Sequence, residues 1–381
     1  MQLTRAIFAS PSAFISTERP VNPTLLFCPA ELQRTAGTFL SGFPGLVTYA
    51  VKSNPEAMVI QNLDAAGLQG YDVASMAEVD LVCSIAPDAA QHFNNPVRSC
   101  SEIEAAVAAG VRSFSVDSLS ELQKLAGIAP ISETEVSVRF KLPVAGAAYD
   151  FGSKFGATPD VAEMLLKTAR NFGFVPSITF HPGTQCTDAA AWIAYINRAK
   201  DIAKNASVEI ARLNVGGGFP SHRLADEAPD LTPIFATIER TTRSAFGASR
   251  PALVCEPGRA MVAEAFCLLT QVRAVRDDGS VFLNDGVYGG LAESPLLGNI
   301  DRISVCRPDG SQRNGARAPR VVFGPTCDSV DRLPGTSALP TDIAEGDYVI
   351  FQGMGAYSSV TVTRFNGFGR LDFQTVLSLR D

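Results

Sequence analysis

The eight cysteines contain no C-x-x-C pair, so the spacing that marks a zinc cluster or a small disulfide scaffold is missing. No run approaches the roughly 18 apolar residues that a membrane helix needs. The first residues, MQLTRAIFASPSAF, hold one early arginine and no continuous apolar stretch, a poor match to a secretion signal. Positive charge is also short. Lys and Arg number 32 against 39 Asp and Glu, a net charge of −7, which argues against nucleic acid because a phosphate binder wants a basic stripe. Sequence repeats and low-complexity segments are absent too. These gaps leave a reduced, cytoplasmic chain with no membrane or nucleic-acid partner as the expectation.

What is present is ordinary globular material, with 46% apolar and 19% charged residues over 381 positions. That length predicts one large domain plus a smaller one. Short β-rich apolar runs alternate with Ala-, Leu- and Glu-rich stretches. The strand candidates are Val47–Val51, Gly70–Val73, Gln91–Phe93, Ser113–Val116, Val136–Phe140, Ser177–Phe180, Arg212–Val215 and Leu253–Cys255. Between them, segments such as Met76–Ser84, Ser101–Ala109, Ser118–Ala126, Pro159–Asn171 and Ala189–Lys204 repeat apolar residues every three or four positions, as amphipathic helices do. Strict alternation of this kind predicts an α/β fold with a parallel sheet, and eight units predict a closed (β/α)8 barrel over residues 21–260. Beyond about residue 260 the helical pattern fades. Ala263–Val275, Val281–Leu283, Arg320–Phe323, Asp347–Phe351 and Ser359–Phe365 read as strands of a second, mainly β domain made of residues 1–20 and 261–381.

The unusual residues gather at the C-terminal ends of the barrel strands, the catalytic face of such a barrel. Lys52 closes TYAVK, Asp72 closes GYD and Arg139 closes SVR; His181 follows ITF, Gly216–Gly218 follow RLNV, and Glu256 follows ALVC. A lysine at a strand end is usually solvated, and three glycines often make only a tight turn. Six such groups on one rim ask for a shared explanation. A partly enclosed lysine becomes nucleophilic, glycines let backbone N–H groups approach a phosphate, and Glu256-Pro257-Gly258-Arg259 adds a carboxylate and a guanidinium. An aldehyde-capturing lysine, a phosphate cradle and an acid for a ring nitrogen together describe a site for pyridoxal 5'-phosphate.

The motifs extend this reading. YAVKSNP (49–55), YDVASMAE (71–78), FHPGTQ (180–185), NVGGGFP (214–220), EPGR (256–259), NDGVYGG (284–290), GPTCDSVDRL (324–333), GAYS (355–358) and FNGF (365–368) occur in an order that resembles the fold-type III pyridoxal-phosphate decarboxylases of ornithine, lysine, arginine and diaminopimelate. GPTCDS followed by FNGF is similar to the ornithine/lysine branch. The resemblance implies an alanine racemase-like barrel with a C-terminal β domain. It further implies that Lys52 bonds to the cofactor aldehyde, His181 stacks on the ring and Glu256 pairs with the ring nitrogen. Gly217, Gly218, Gly258, Arg259 and Tyr357 would cradle the phosphate, with Thr184 nearby and Asp72, Glu78 and Arg139 in support. Cys327 would protonate the α-carbon. Asp328, Tyr288 and Tyr357 would face the amino-acid substrate, and Cys327 and Asp328 would come from the second subunit of a homodimer with shared active sites.

One departure bears on specificity. Ornithine decarboxylases carry a second acid about nine positions after the tyrosine of NDGVY, and Leu297 stands there in this chain, with Glu293 and Asp301 nearby. Ornithine or lysine is the expected substrate, giving putrescine or cadaverine. Arginine, diaminopimelate, a conjugated or D-configured amino acid, racemisation, and an inactive cofactor-binding regulator are the alternatives. Intact Lys52, Cys327 and Asp328 speak against the last.

Overall fold

A computed structural model describes residues 6–143, 154–224, 228–298 and 300–381. The chain forms two units, one of residues 36–220 and 229–261, the other of residues 1–35, 221–228 and 262–381. The first strand, β1 (Thr24–Phe27), belongs to the second unit. The next eight are β2 (Leu46–Ala50), β3 (Gly70–Val73), β4 (Ala90–Phe93), β5 (Ser113–Val116), β6 (Glu135–Arg139), β7 (Val175–Thr179), β8 (Arg212–Asn214) and β9 (Ala252–Cys255). They close a parallel barrel in that order, and β9 returns to β2 by pairing Val254 with Leu46 and Cys255 with Val47. All eight expected strands are present.

Caps fix where the loops between strands and helices end. Ser75, Ser99 and Ser118 each accept the backbone N–H of the residue three positions on, at Glu78, Glu102 and Glu121. Ser99 and Glu102 complete a reciprocal capping box, which satisfies two otherwise unpaired helix-end donors. The turn after β3 is therefore only Ala74–Ser75 long, which leaves Asp72 little freedom. Outside the barrel wall the helices pack through aromatics. Trp192 is fully buried and stacks on Phe219 at 5.2 Å, while Phe39 and Phe235 meet Phe219 edge-on at 5.5 and 5.6 Å. Truncating such a side chain to alanine costs about 3–5 kcal/mol.

The second unit is built on β10 (Phe266–Val275), β11 (Val281–Leu283), β12 (Ile303–Cys306), β13 (Arg317–Arg320), β14 (Val322–Phe323), β15 (Ser337–Pro340), β16 (Tyr348–Gln352) and β17 (Asp372–Thr375). The main sheet runs β12-β16-β10-β1-β17, with β11 beside β10 and β14 beside β11. Because β1 pairs antiparallel with β10 and parallel with β17, the N-terminal segment of this unit reaches residue 35 rather than 20. The expected strand Ser359–Phe365 is not one. Tyr357 (φ 64°) and Asn366 (φ 54°) are left-handed, and the Thr363 N–H goes to the Tyr288 carbonyl at 2.9 Å instead of to a sheet ladder. Among the described residues no helix is long and apolar enough to cross a membrane.

Candidate active site

Lys52 sits in a single 3₁₀ turn, Val51–Ser53, directly after β2, and its side chain is exposed. A buried hydroxyl chain holds that turn. Ser53 Oγ donates to the Ala50 carbonyl at 2.7 Å, and Tyr49 Oη donates to the Asn54 carbonyl at 3.0 Å. Gly258 lets the EPGR loop lie against it, since a Cβ there would stand 3.2 Å from Ala50 Cβ and Ser53 Cβ. Two distant motifs are thus packed into one corner of the barrel mouth.

Glu256 follows β9 and is 9% exposed. Asn94 Nδ2 donates to its Oε1 at 2.7 Å, and Asn214 Nδ2 donates to the same oxygen. Oε2 has no partner among the described residues. Burial first, and the Asp72 charge second, push the Glu256 carboxyl up to about 8, while Lys52, Asn214 and Arg139 pull the other way. Asp72, on β3 and 4% exposed, is also raised by burial, against the pull of Lys52, an Asn94 hydrogen bond and Arg139. Glu78 Oε2 accepts the Ala74 N–H at 2.7 Å, and burial raises its carboxyl as well. Two buried acids and two cations therefore share one rim.

His181 Nδ1 accepts the Gly183 N–H at 3.0 Å, so the ring proton resides on Nε2. Burial, then Lys52 and Arg139, hold its pKa well below the ordinary histidine value, and the ring is neutral. The glycine run beside it is demanded by space. A Cβ on Gly217 would lie 2.6 Å from the Glu256 carbonyl oxygen and 3.2 Å from His181 Nε2. Gly216 (φ 70°) and Gly218 (φ 84°) occupy the left-handed region where glycine is favoured. The Cys186 N–H reaches back to the Gly218 carbonyl at 2.8 Å, tying the loop that carries Thr184 to the glycine turn. Arg259 opens the short helix Arg259–Val262 and is 9% exposed, and the Arg139 guanidinium lies over the Phe155 ring at 5.3 Å.

The barrel unit thus gathers Lys52, Asp72, Arg139, His181, Gly217, Gly218, Glu256, Gly258 and Arg259. These residues fit pyridoxal phosphate: an exposed amine, an uncharged imidazole, a carboxylate with one open oxygen, and a glycine turn too tight for any side chain. The pyridoxal binding domain model of the pyridoxal-dependent decarboxylases matches residues 30–263. This chain belongs to that family. It is a pyridoxal-phosphate-dependent amino-acid decarboxylase of fold type III, in the ornithine/lysine-like branch. It is similar to the lysine/ornithine decarboxylase of Selenomonas ruminantium, 32% identical over 330 residues that cover 84% of this chain and 81% of the relative. It resembles the ornithine decarboxylase of Mus musculus, 30% identical over 356 residues, covering 87% of this chain and 75% of the relative. Its fold matches the crystal structure of the Paramecium bursaria Chlorella virus arginine decarboxylase with a TM-score of 0.85 at 26% identity, covering 95% of this chain and 98% of that one.

Thr184 is half-buried on the barrel-unit loop after His181, and the other expected residues of the decarboxylase lie in the β unit. Tyr288 Oη donates to Asp328 Oδ2 at 2.6 Å, which raises the phenol and lowers the carboxyl. Cys327 is exposed, and both its N–H and its thiol lie 3.1 Å from Asn366 Oδ1. Tyr357 is half-buried, and its carbonyl accepts the Thr361 hydroxyl at 2.7 Å. Leu297 ends the short helix Ser294–Leu297, half-buried, with Glu293 just before it and Asp301 exposed beyond. Residue-by-residue reading passed over Asn94, Asn214 and Asn366. Asn94 and Asn214 stand at the ends of β4 and β8, where the strand-end rule applied to Lys52 and Asp72 would have found them.

Proposed function

We propose that this enzyme decarboxylates a basic L-amino acid, ornithine or lysine, releasing carbon dioxide and putrescine or cadaverine, as in polyamine biosynthesis. The observation that carries the substrate class is the Tyr288–Asp328 pair, an acid held ionised beside the exposed Cys327. An ionised carboxylate in that place suits the distal ammonium of a diamino acid. The relatives named above act on lysine, ornithine and arginine, which agrees with a cationic side chain.

When bound, pyridoxal phosphate supplies a sink for the electrons of the breaking bond between the α-carbon and its carboxylate. The chain's own groups do the rest. Lys52 Nζ would hold the cofactor through its aldehyde. Glu256, through its open Oε2, would keep a proton on the ring nitrogen. His181, already neutral, would lie against the ring face without opposing that proton. Gly217, Gly218, Gly258, Arg259, Thr184 and Tyr357 would hold the phosphate, and Asp72, Glu78 and Arg139 would steady the charge around Lys52. Cys327 would deliver a proton to the α-carbon after carbon dioxide leaves, and Asp328 and Tyr288 would orient the side chain.

We further read the enzyme as a homodimer whose sites are shared, with Cys327 and Asp328 serving the partner's cofactor. Exposure supports this: Cys327 is open, and Val330 (62%), Phe365 (41%) and Phe368 (38%) are exposed apolar residues close to it in sequence or on its Asn366 loop. The test is a panel of amino acids assayed for carbon dioxide and amine product. Ornithine or lysine is expected to give both in equal amounts. Turnover of arginine or diaminopimelate with neither of these two consumed overturns the assignment.

A further inference from the structure

Resting on the reading that Cys327, Asp328 and Tyr288 serve the substrate, we propose that Asp331 is a positioning residue that locks the loops bearing them into one unit. Its carboxylate is 1% exposed and spans two loops. Oδ1 accepts the N–H of Val287, the residue before Tyr288, at 2.9 Å. Oδ2 accepts the N–H of Thr326, the residue before Cys327, at 3.0 Å, and the Thr326 hydroxyl at 2.8 Å. The backbone repeats the link, with the Gly324 N–H donating to the Asp331 carbonyl at 2.9 Å and the Asp331 N–H to the Asp328 carbonyl at 3.0 Å.

The carboxylate sits in a close-fitting berth. A Cβ on Gly286 or on Gly324 would overlap the Asp331 carboxylate, so the two motifs NDGVY and GPTCDS each contribute a glycine to make its berth. At the outer end the same loops meet again through Tyr288 and Asp328. A third loop closes the set: the Thr363 N–H bonds the Tyr288 carbonyl, the Phe365 ring lies 5.0 Å from the Tyr288 ring, and Asn366 holds Cys327. A buried anion that uses both oxygens on backbone donors from two segments fixes their spacing more firmly than neutral contacts do. Asparagine cannot replace it. It offers one acceptor oxygen and sets an N–H₂ against the second backbone donor, so one loop must let go.

The experiment compares Asp331→Asn, Cys327→Ser and the double variant in the cofactor-loaded enzyme. Asp331→Asn is expected to leave cofactor absorbance and its affinity unchanged, because every barrel-side group is intact, and to lower kcat about 10- to 100-fold, the loss that a displacement near 1 Å brings. The double variant should be less impaired than the product of the two single losses, since Asp331 acts through Cys327. Alkylation of Cys327 by iodoacetamide, followed by peptide mass, should change several-fold while that of Cys100 does not. Should Asp331→Asn fold poorly, Thr326→Val removes one bond to Oδ2, and Thr326→Ser keeps it; the serine variant should retain activity that the valine variant loses. Multiplicative losses with an unchanged alkylation rate overturn the positioning role while leaving the site reading intact. Full activity of Cys327→Ser overturns the site reading itself.

Discussion

Replacing Glu256 by glutamine should make the cofactor-free protein more stable at alkaline pH and the loaded enzyme worse. In the folded chain Glu256 holds its proton to about 8, whereas a free glutamic acid releases it near 4.5. Between these values the folded state binds more protons than the unfolded one, so raising the pH favours unfolding. The penalty is on the order of 1.4 kcal/mol per pH unit, several kcal/mol across the window. Glutamine has the same shape. Its carbonyl can take the place of Oε1 and still accept Asn94 and Asn214, while its amide occupies the position of Oε2. The difference between wild type and variant isolates Glu256 from other titrating groups such as Asp285, which burial raises to about 7. Chemical denaturation of both proteins, stripped of cofactor, from pH 5 to 8 measures it. The wild type should lose stability with pH more steeply than the variant, by on the order of 1.4 kcal/mol per pH unit. Turnover with cofactor should fall about 10- to 150-fold, matching the ~1.5–3 kcal/mol of a charge-assisted hydrogen bond. Parallel pH curves for the two stripped proteins refute the burial argument.

Other sites give separable outcomes. Gly217→Ala forces a Cβ to within 2.6 Å of the Glu256 carbonyl oxygen, which should cost about 1–3 kcal/mol of stability and weaken cofactor binding in a titration; Gly127→Ala, with nothing nearer than 3.6 Å, is the control. His92 is 4% exposed and its pKa is lowered to about 4, chiefly by burial. The unfolded chain therefore binds more protons than the folded one between pH 4 and 6.5, and stability falls as acid is added through that range. His92→Gln should flatten that limb by up to about 3 kcal/mol, read by denaturation at pH 4.5 and 7. Mixing a Lys52→Ala chain with a Cys327→Ala chain should restore up to about a quarter of wild-type activity, because half of randomly paired dimers are hybrids with one intact site. No recovery despite proven exchange excludes shared sites.

The barrel was legible because its rules are local. Each strand is a short apolar run and each helix a periodic one, and strand-end position alone singles out Lys52, Asp72, Arg139 and Glu256. The β unit was less so. The left-handed Tyr357 and Asn366 turn Ser359–Phe365 away from a strand despite its β-branched residues, a choice set by the partner loop at Tyr288 and invisible in local propensity. The N-terminal boundary slipped for the same reason: β1 reads as one more apolar run until its pairing with β10 and β17 is known. Asn94 and Asn214 escaped notice because an asparagine carries no charge to draw attention, although both aim at Glu256.

The proposed chemistry divides along the chain, with cofactor groups in the barrel unit and side-chain-reading groups in the β unit. Every group proposed for the cofactor's ring is contributed by residues 36–220 and 229–261, where the glycine turn leaves no room for a side chain. The groups proposed to read the amino-acid side chain are in the β unit, where Leu297 departs from the ornithine pattern while Asp328 stays. A loss confined to the second set alters which amine is accepted without touching the electron sink. Removing one carboxylate partner of a buried ammonium costs about 2–5 kcal/mol, enough to shift preference between diamino acids more than tenfold. Selectivity among basic amino acids is thus the property of this enzyme most free to differ from its relatives.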